Sequence, residues 1–144
     1  MKLNDILLAE DSISDVELTM AALSESNLAN RLVVVKDGVQ VLQYLECTGQ
    51  YSGRNSGNPA VILLDIKTPR MDGIEVLDSI KKNPVLKHIP VVMLTSSKED
   101  RVLRRAYELE VNAYVVKPVN FLQFVEALKL IGIFWATLNE LPPQ

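Results

Sequence analysis

The chain has 144 residues, 48% apolar and 23% charged, with a formal net charge of −3, one cysteine and one histidine. That length supports one ordinary domain and leaves no room for a second, effector domain, because domains cluster near ~100–150 residues. One Cys and one His exclude a disulfide scaffold and a Cys/His zinc centre. The acidic balance excludes the basic field that nucleic-acid binding requires.

The first apolar run, Ile6-Leu7-Leu8-Ala9, reads as a strand. An amphipathic stretch over 14–26 follows, with Val16, Met20 and Leu23 on one helical face and Ser12 or Ser14 available as N-cap. Leu32-Val33-Val34-Val35 is a second strand, and 38–47 a second helix carrying Val41, Leu42 and Leu45. Residues 48–59 are rich in Gly, Ser and Asn. They precede a strand and lack the Gly-Lys-Ser/Thr ending of a phosphate loop, so they read as a flexible connection. Val61-Ile62-Leu63-Leu64 is a third strand. The helix over 72–82 carries Ile74, Leu77 and Ile80 and stops at Asn83-Pro84. Val91-Val92-Met93-Leu94 precedes a helix over 97–109, with Val102, Leu103 and Ala106. Ala113-Tyr114-Val115-Val116 precedes the longest helix, 120–138, inside an extended C-terminal segment, 120–144.

The five runs are continuous rather than alternating, which predicts strands buried on both faces of a parallel sheet. Right-handed crossovers then place helices on both faces of a doubly wound α/β sheet built as (βα)5. No stretch approaches the ~20 apolar residues that span a bilayer, and the start lacks the pattern of a signal peptide. With Cys47 alone, as a small apolar filler, the expected compartment is the cytoplasm, away from any membrane.

Ligands of an open α/β sheet bind at the carboxyl ends of its strands. Those ends hold Glu10-Asp11, Asp65, Thr95 and Lys117-Pro118. Acids crowded at buried strand ends raise one another's pKa unless a cation lies between them. Oxygen-only donors point to a hard divalent ion, Mg²⁺ above all, with Mn²⁺ as its substitute.

Leu8-Ala9-Glu10-Asp11, the stretch Leu64-Asp65-Ile66-Lys67-Thr68-Pro69-Arg70-Met71-Asp72-Gly73, Leu94-Thr95-Ser96 and Val116-Lys117-Pro118 together resemble response-regulator receiver domains, from Leu3 to about Leu130. Other segments look like the stand-alone regulators paired with phytochrome-type histidine kinases. These are Leu86-Lys87-His88-Ile89-Pro90, Tyr107-Glu108-Leu109, Asn112-Ala113-Tyr114, Phe134-Trp135 and Leu141-Pro142-Pro143. The resemblance implies the flavodoxin-like strand order 2-1-3-4-5. It also implies that Asp65 takes a phosphoryl group from a phosphohistidine of a partner kinase. Asp11, Asp65 and the Lys67 backbone carbonyl would ligate Mg²⁺, and Glu10 would act through metal-bound water. Lys117 and Thr95 would contact phosphoryl oxygens, and the Lys117–Pro118 peptide would be cis. Thr95 and Tyr114 would form a two-state switch acting on the face of helix four, strand five and helix five. His88 reads as an exposed loop residue, so the phosphohistidine belongs to the partner.

Two positions depart from the commoner pattern: Glu10 stands where aspartate is frequent, and Lys67 where neutral residues are frequent. Lys67 also argues against an aspartate-nucleophile phosphohydrolase, which needs a second Asp there. The alternative that stays open is a receiver-like interaction module acting without phosphorylation. On the final helix, one apolar face (Phe121, Phe124, Val125, Leu128, Ile131, Trp135 and Leu138) suffices to dock it. A second stripe, Leu122, Leu130, Ile133, Phe134 and Leu141, predicts a homodimer through the helix four, strand five, helix five face.

Overall fold

The structure is a computed structural model that describes residues 5–24, 32–54, 57–96, 100–117, 120, 122–123 and 126–127, with backbone alone at 100–103. Its elements in chain order are β1 (Ile6–Ala9), α1 (Ile13–Ser24), β2 (Leu32–Val35), α2 (Gly38–Glu46), a 3₁₀ turn (Gly49–Tyr51), β3 (Val61–Asp65), α3 (Gly73–Lys82), β4 (Val91–Thr95), α4 (Asp100–Glu108) and β5 (Ala113–Val116). The strands form one parallel sheet in the order β2-β1-β3-β4-β5. β3 and β4 each run one residue past the apolar stretch that predicts them, so Asp65 and Thr95 belong to the strands.

The central strands β1, β3 and β4 are buried along their whole length. The expectation of burial on both faces fails for β2 and β5. These are the sheet edges: Val34 is 38% exposed and Tyr114 is 39% exposed. An edge strand lacks a neighbour on one side, so helices cover it incompletely. One core face gathers Leu7, Ile62, Leu64, Val76, Leu77, Ile80 and Met93; the other gathers Ile6, Leu8, Leu23, Leu63, Val92 and Leu94. Alternate residues of the same strands therefore supply the two faces.

The apolar face of α1 also differs from the expected one. Thr19, Ala22 and Leu23 are buried, and Met20 is 41% exposed. Thr19 tolerates burial because its hydroxyl donates to the Asp15 carbonyl at 3.0 Å. Ser12, not Ser14, caps the helix, its hydroxyl accepting from Asp15 N–H at 3.3 Å. α3 begins with a full capping box between Asp72 and Glu75 and ends at Asn83, whose extended backbone suits a residue before proline.

The described part of the 48–59 connection is held against α2. Tyr51 packs edge-on against Tyr44, while Arg54 stacks over the Tyr44 ring at 4.0 Å and donates to the Tyr44 carbonyl at 2.9 Å. At the amino end of the strands, the Asn112 side-chain oxygen accepts Val91 N–H at 2.9 Å and lies 3.4 Å from Lys81 Nζ. That bond joins the first residue of β4 to the lead-in of β5. Most of the C-terminal helix and tail, 120–144, lies outside the described residues; 122–123 and 126–127 are helical, Ala127 is buried, and Leu122 is 76% exposed. No helix among the described residues is long and apolar enough to cross a membrane.

α2 and the β3–α3 loop meet at Gly38, where an added Cβ would overlap the Met71 carbonyl oxygen and Val76 Cγ2. Gly38→Ala is expected to destabilise the fold by about 1–3 kcal/mol, the usual cost of overpacking, as a lowered urea midpoint.

Candidate functional site

The sheet order delivers the polar residues to one edge. β1 ends at Ala9, so Glu10 and Asp11 follow it directly. Asp65 is the last residue of β3, Thr95 the last of β4, and Lys117 follows β5. β4–β5 pairing continues into this edge, where Lys117 N–H donates to the Thr95 carbonyl at 2.8 Å. Glu10 N–H likewise donates to the Val35 carbonyl at 3.0 Å, which fixes the backbone that carries the acid pair.

Carboxylate oxygens of Glu10, Asp11 and Asp65 all lie within 4.8 Å of one another. Glu10 and Asp65 are buried and Asp11 is exposed, so the cluster has one open side. That side borders a groove of about 190 Å³ lined by Ile13, Val16, Glu17, Val34 and Lys36. Lys117 neutralises part of the charge. Its Nζ stands 2.6 Å from Glu10 Oε1, 2.9 Å from Asp15 Oδ2 and 3.1 Å from Asp65 Oδ2.

Burial works against the Lys117 charge, but hydrogen bonds to Glu10, Asp15 and Asp65 more than offset it and hold its pKa well above the ordinary lysine value. Glu10 is pushed above the ordinary glutamate value, chiefly by burial. The Lys117 hydrogen bond opposes this shift and the Asp65 charge adds to it. Three carboxylates thus share one ammonium and Asp11 stands beside them, which leaves a negative, oxygen-lined edge. Glu10, Asp11 and Asp65 form the set that could hold a hard divalent cation.

The loop after β3 is rigidly built. Lys67 N–H donates to Asp65 Oδ1 at 3.3 Å, Thr68 Oγ1 to the Met71 carbonyl at 2.6 Å, and Gly73 N–H to the Ile66 carbonyl at 2.7 Å. A Cβ on Gly73 would lie 2.6 Å from the Asp65 carbonyl oxygen, so this close return needs glycine. Arg70 adopts a left-handed backbone, φ 63°. Its guanidinium grips Asp37 through two bonds, of 2.9 and 3.0 Å, while Asp37 also caps α2. The Lys67 side chain is exposed.

The structure therefore brings Glu10, Asp11, Asp65 and Lys117 together, with Thr95 buried on the adjoining strand end. Tyr114 points outward and packs edge-on against Tyr107, with ring centroids 6.0 Å apart. His88 is exposed. Pro118, Leu130, Ile133 and Phe134 lie outside the described residues, and with them the expected cis bond and most of the second apolar stripe. Two groups escape sequence reasoning: Asp15, which reads as a first-turn acid of α1, and the Asp37–Arg70 pair, which spans 33 residues. An acid one turn after Glu10-Asp11 is the only signal of the first, and nothing in the sequence signals the second.

The profile of the response regulator receiver domain matches residues 6–129. The chain belongs to the response regulator receiver family. Response regulator Rcp1 of Synechocystis sp. is 40% identical over 137 residues, 95% of this chain and 92% of that protein. A Mn²⁺-bound structure of Rcp1 superposes with a TM-score of 0.75 at 37% identity, covering 98% of this chain and 99% of that one. The bacteriophytochrome response regulator RtBRR is 55% identical with a TM-score of 0.87, covering 99% of this chain and 86% of that one. The phosphorylated cyanobacterial phytochrome response regulator RcpA is 35% identical with a TM-score of 0.77, covering 98% of both chains. This receiver is thus related to phytochrome response regulators.

Lys117→Met strips Glu10 and Asp65 of their shared cation. The variant is expected to lose about 2–4 kcal/mol at neutral pH. Lys117 opposes the upward shift of the Glu10 pKa, so without it Glu10 binds its proton more tightly still in the fold, and acid favours the folded variant more than the wild type. The deficit should shrink as pH falls from neutrality toward the ordinary glutamate value of 4.5. Urea midpoints of both proteins at pH 7 and pH 5 measure this; a constant gap would refute it.

Proposed function

We propose that the chain is a phosphorylation-dependent signalling switch that accepts a phosphoryl group on Asp65 from a phosphohistidine of a histidine kinase, of the phytochrome type, in the cytoplasm. The observation that carries the reading is the Lys117 ammonium 3.1 Å from Asp65, beside the Glu10, Asp11 and Asp65 cluster. Phosphorylated RcpA and Mn²⁺-bound Rcp1, both relatives over nearly the whole chain, support it.

Asp65 is the nucleophile: one carboxylate oxygen attacks phosphorus and the histidine nitrogen leaves. The loose transition state leaves the protein to position the groups and stabilise charge. Asp11, Asp65 and the Lys67 carbonyl would hold Mg²⁺ or Mn²⁺, with Glu10 acting through water, and the metal would supply charge neutralisation during transfer. Lys117 moves its charge from Asp65 to a phosphoryl oxygen, and the Thr95 hydroxyl takes another. The exposed Asp11 side is the open approach for the donor.

The output is conformational. Tyr114 lies on the surface against Tyr107, and Thr95 is buried one strand away. Drawing Thr95 toward the phosphoryl group frees space for Tyr114 to turn inward, which alters the α4–β5 face. Exposed Tyr107 and Tyr114 on that face, with exposed Leu122 on the final helix, fit a homodimer through it. We take the chain as one receiver unit that catalyses its own phosphoryl transfer and slow dephosphorylation.

Incubation with acetyl phosphate and Mg²⁺ should add about 80 Da, detected by intact mass, and Asp65→Asn should abolish the adduct. An undiminished adduct in Asp65→Asn would overturn Asp65 as the acceptor, and none in the wild type would overturn the reading in favour of an interaction module. Lys67→Asn is expected to change the lifetime of the adduct by roughly two- to tenfold, since an exposed cation beside Asp65 can screen phosphorus from water. The decay of the mass adduct measures it.

A further inference from the structure

We propose that Asp15 is a positioning residue for Lys117, the carboxylate that keeps hold of the ammonium when a divalent cation engages Glu10 and Asp65. The inference rests on the cation site of the proposed function.

Lys117 Nζ contacts three carboxylates, at 2.6 Å to Glu10, 2.9 Å to Asp15 and 3.1 Å to Asp65. Two of the three, Glu10 and Asp65, also belong to the cluster whose oxygens converge within 4.8 Å. An ammonium and a divalent cation drawn to the same oxygens repel each other, so each weakens the other's hold. Asp15 stands outside the cluster and serves Lys117 alone among these cations. Its backbone is fixed on both sides: its N–H donates to Ser12 Oγ at 3.3 Å and its carbonyl accepts the Thr19 hydroxyl at 3.0 Å. The carboxylate is therefore presented from the first turn of α1 rather than from a mobile loop. Its side chain is 33% exposed, against 1% for Glu10 and 8% for Asp65, so it is the partner that holds Lys117 from the solvent side.

Two consequences are separable. Loss of the Asp15 charge weakens binding of any cation nearby, whatever Lys117 does. Loss of the Asp15 anchor leaves Lys117 wholly on Glu10 and Asp65, where it competes with the metal. Only the second depends on Lys117, so a double-mutant cycle isolates it.

The experiment is calorimetric titration of Mg²⁺ into the wild type, Asp15→Asn, Lys117→Met and the double variant. Asp15→Asn is expected to weaken Mg²⁺ binding about three- to tenfold in the wild type and less than about twofold in the Lys117→Met background. Equal penalties in the two backgrounds, or none in the wild type, would overturn the proposal. Reductive methylation followed by mass spectrometry reads Lys117 directly and does not need the Lys117→Met protein to fold. Lys117 should stay slow to react in Mg²⁺-loaded wild type and react several-fold faster in Mg²⁺-loaded Asp15→Asn. An unchanged rate again overturns it. A wild type that binds no Mg²⁺, or binds it undiminished in Asp65→Asn, overturns the cation site and this inference with it. Binding lost in Asp65→Asn alongside equal penalties in the cycle overturns the inference alone.

Discussion

Three carboxylates meet one lysine at the carboxyl edge of the sheet, and sharing that charge is what lets a buried acid stand there. Glu10 is almost wholly buried, and an isolated buried carboxylate is among the costliest groups a core can hold. The Lys117 ammonium relieves it at 2.6 Å and reaches Asp15 and Asp65 as well. Its contact with Asp15 spans 102 residues of sequence. One ion therefore ties β1, α1, β3 and the end of β5 together, and the parallel topology makes the meeting possible. In a parallel sheet every strand ends at the same edge, so residues far apart in the chain reach a common site without long loops.

Much of this was legible in the sequence, for identifiable reasons. The central strands are continuous apolar runs, and their boundaries follow from where Glu10, Asp65 and Thr95 interrupt them. Because strand order and crossover hand are tightly limited, locating the strands nearly locates their ends. Burial of β2 and β5 is less legible, since an apolar run does not reveal whether its strand has one neighbour or two. On α1, Met20 appeared as a core residue and Thr19 did not. A hydroxyl that finds a backbone carbonyl within its own helix behaves as a small core residue.

The unread contacts share a cause. Asp15 and Asp37 each resemble ordinary helix-start acids, which are favoured there by the exposed N–H groups alone. Asp37 does serve that role for α2, but the same side chain also grips Arg70. Asp15 is likewise turned to Lys117 by tertiary packing. Local chemistry accounts for the presence of both acids, and only the folded arrangement shows where their remaining oxygens go.

The bond from Val91 N–H to the Asn112 side chain lies at the end of the sheet away from the carboxylates. Side chains along a strand alternate between faces, so a slip of one residue would turn every side chain of β5 to the wrong side. Lys117 follows Asn112 by five positions, so the amide that sets the phase of β5 also sets the direction in which the ammonium emerges. The electrostatics of the acidic site are in this sense held from the amino end of the strands, by a neutral side chain that touches none of the site's charges.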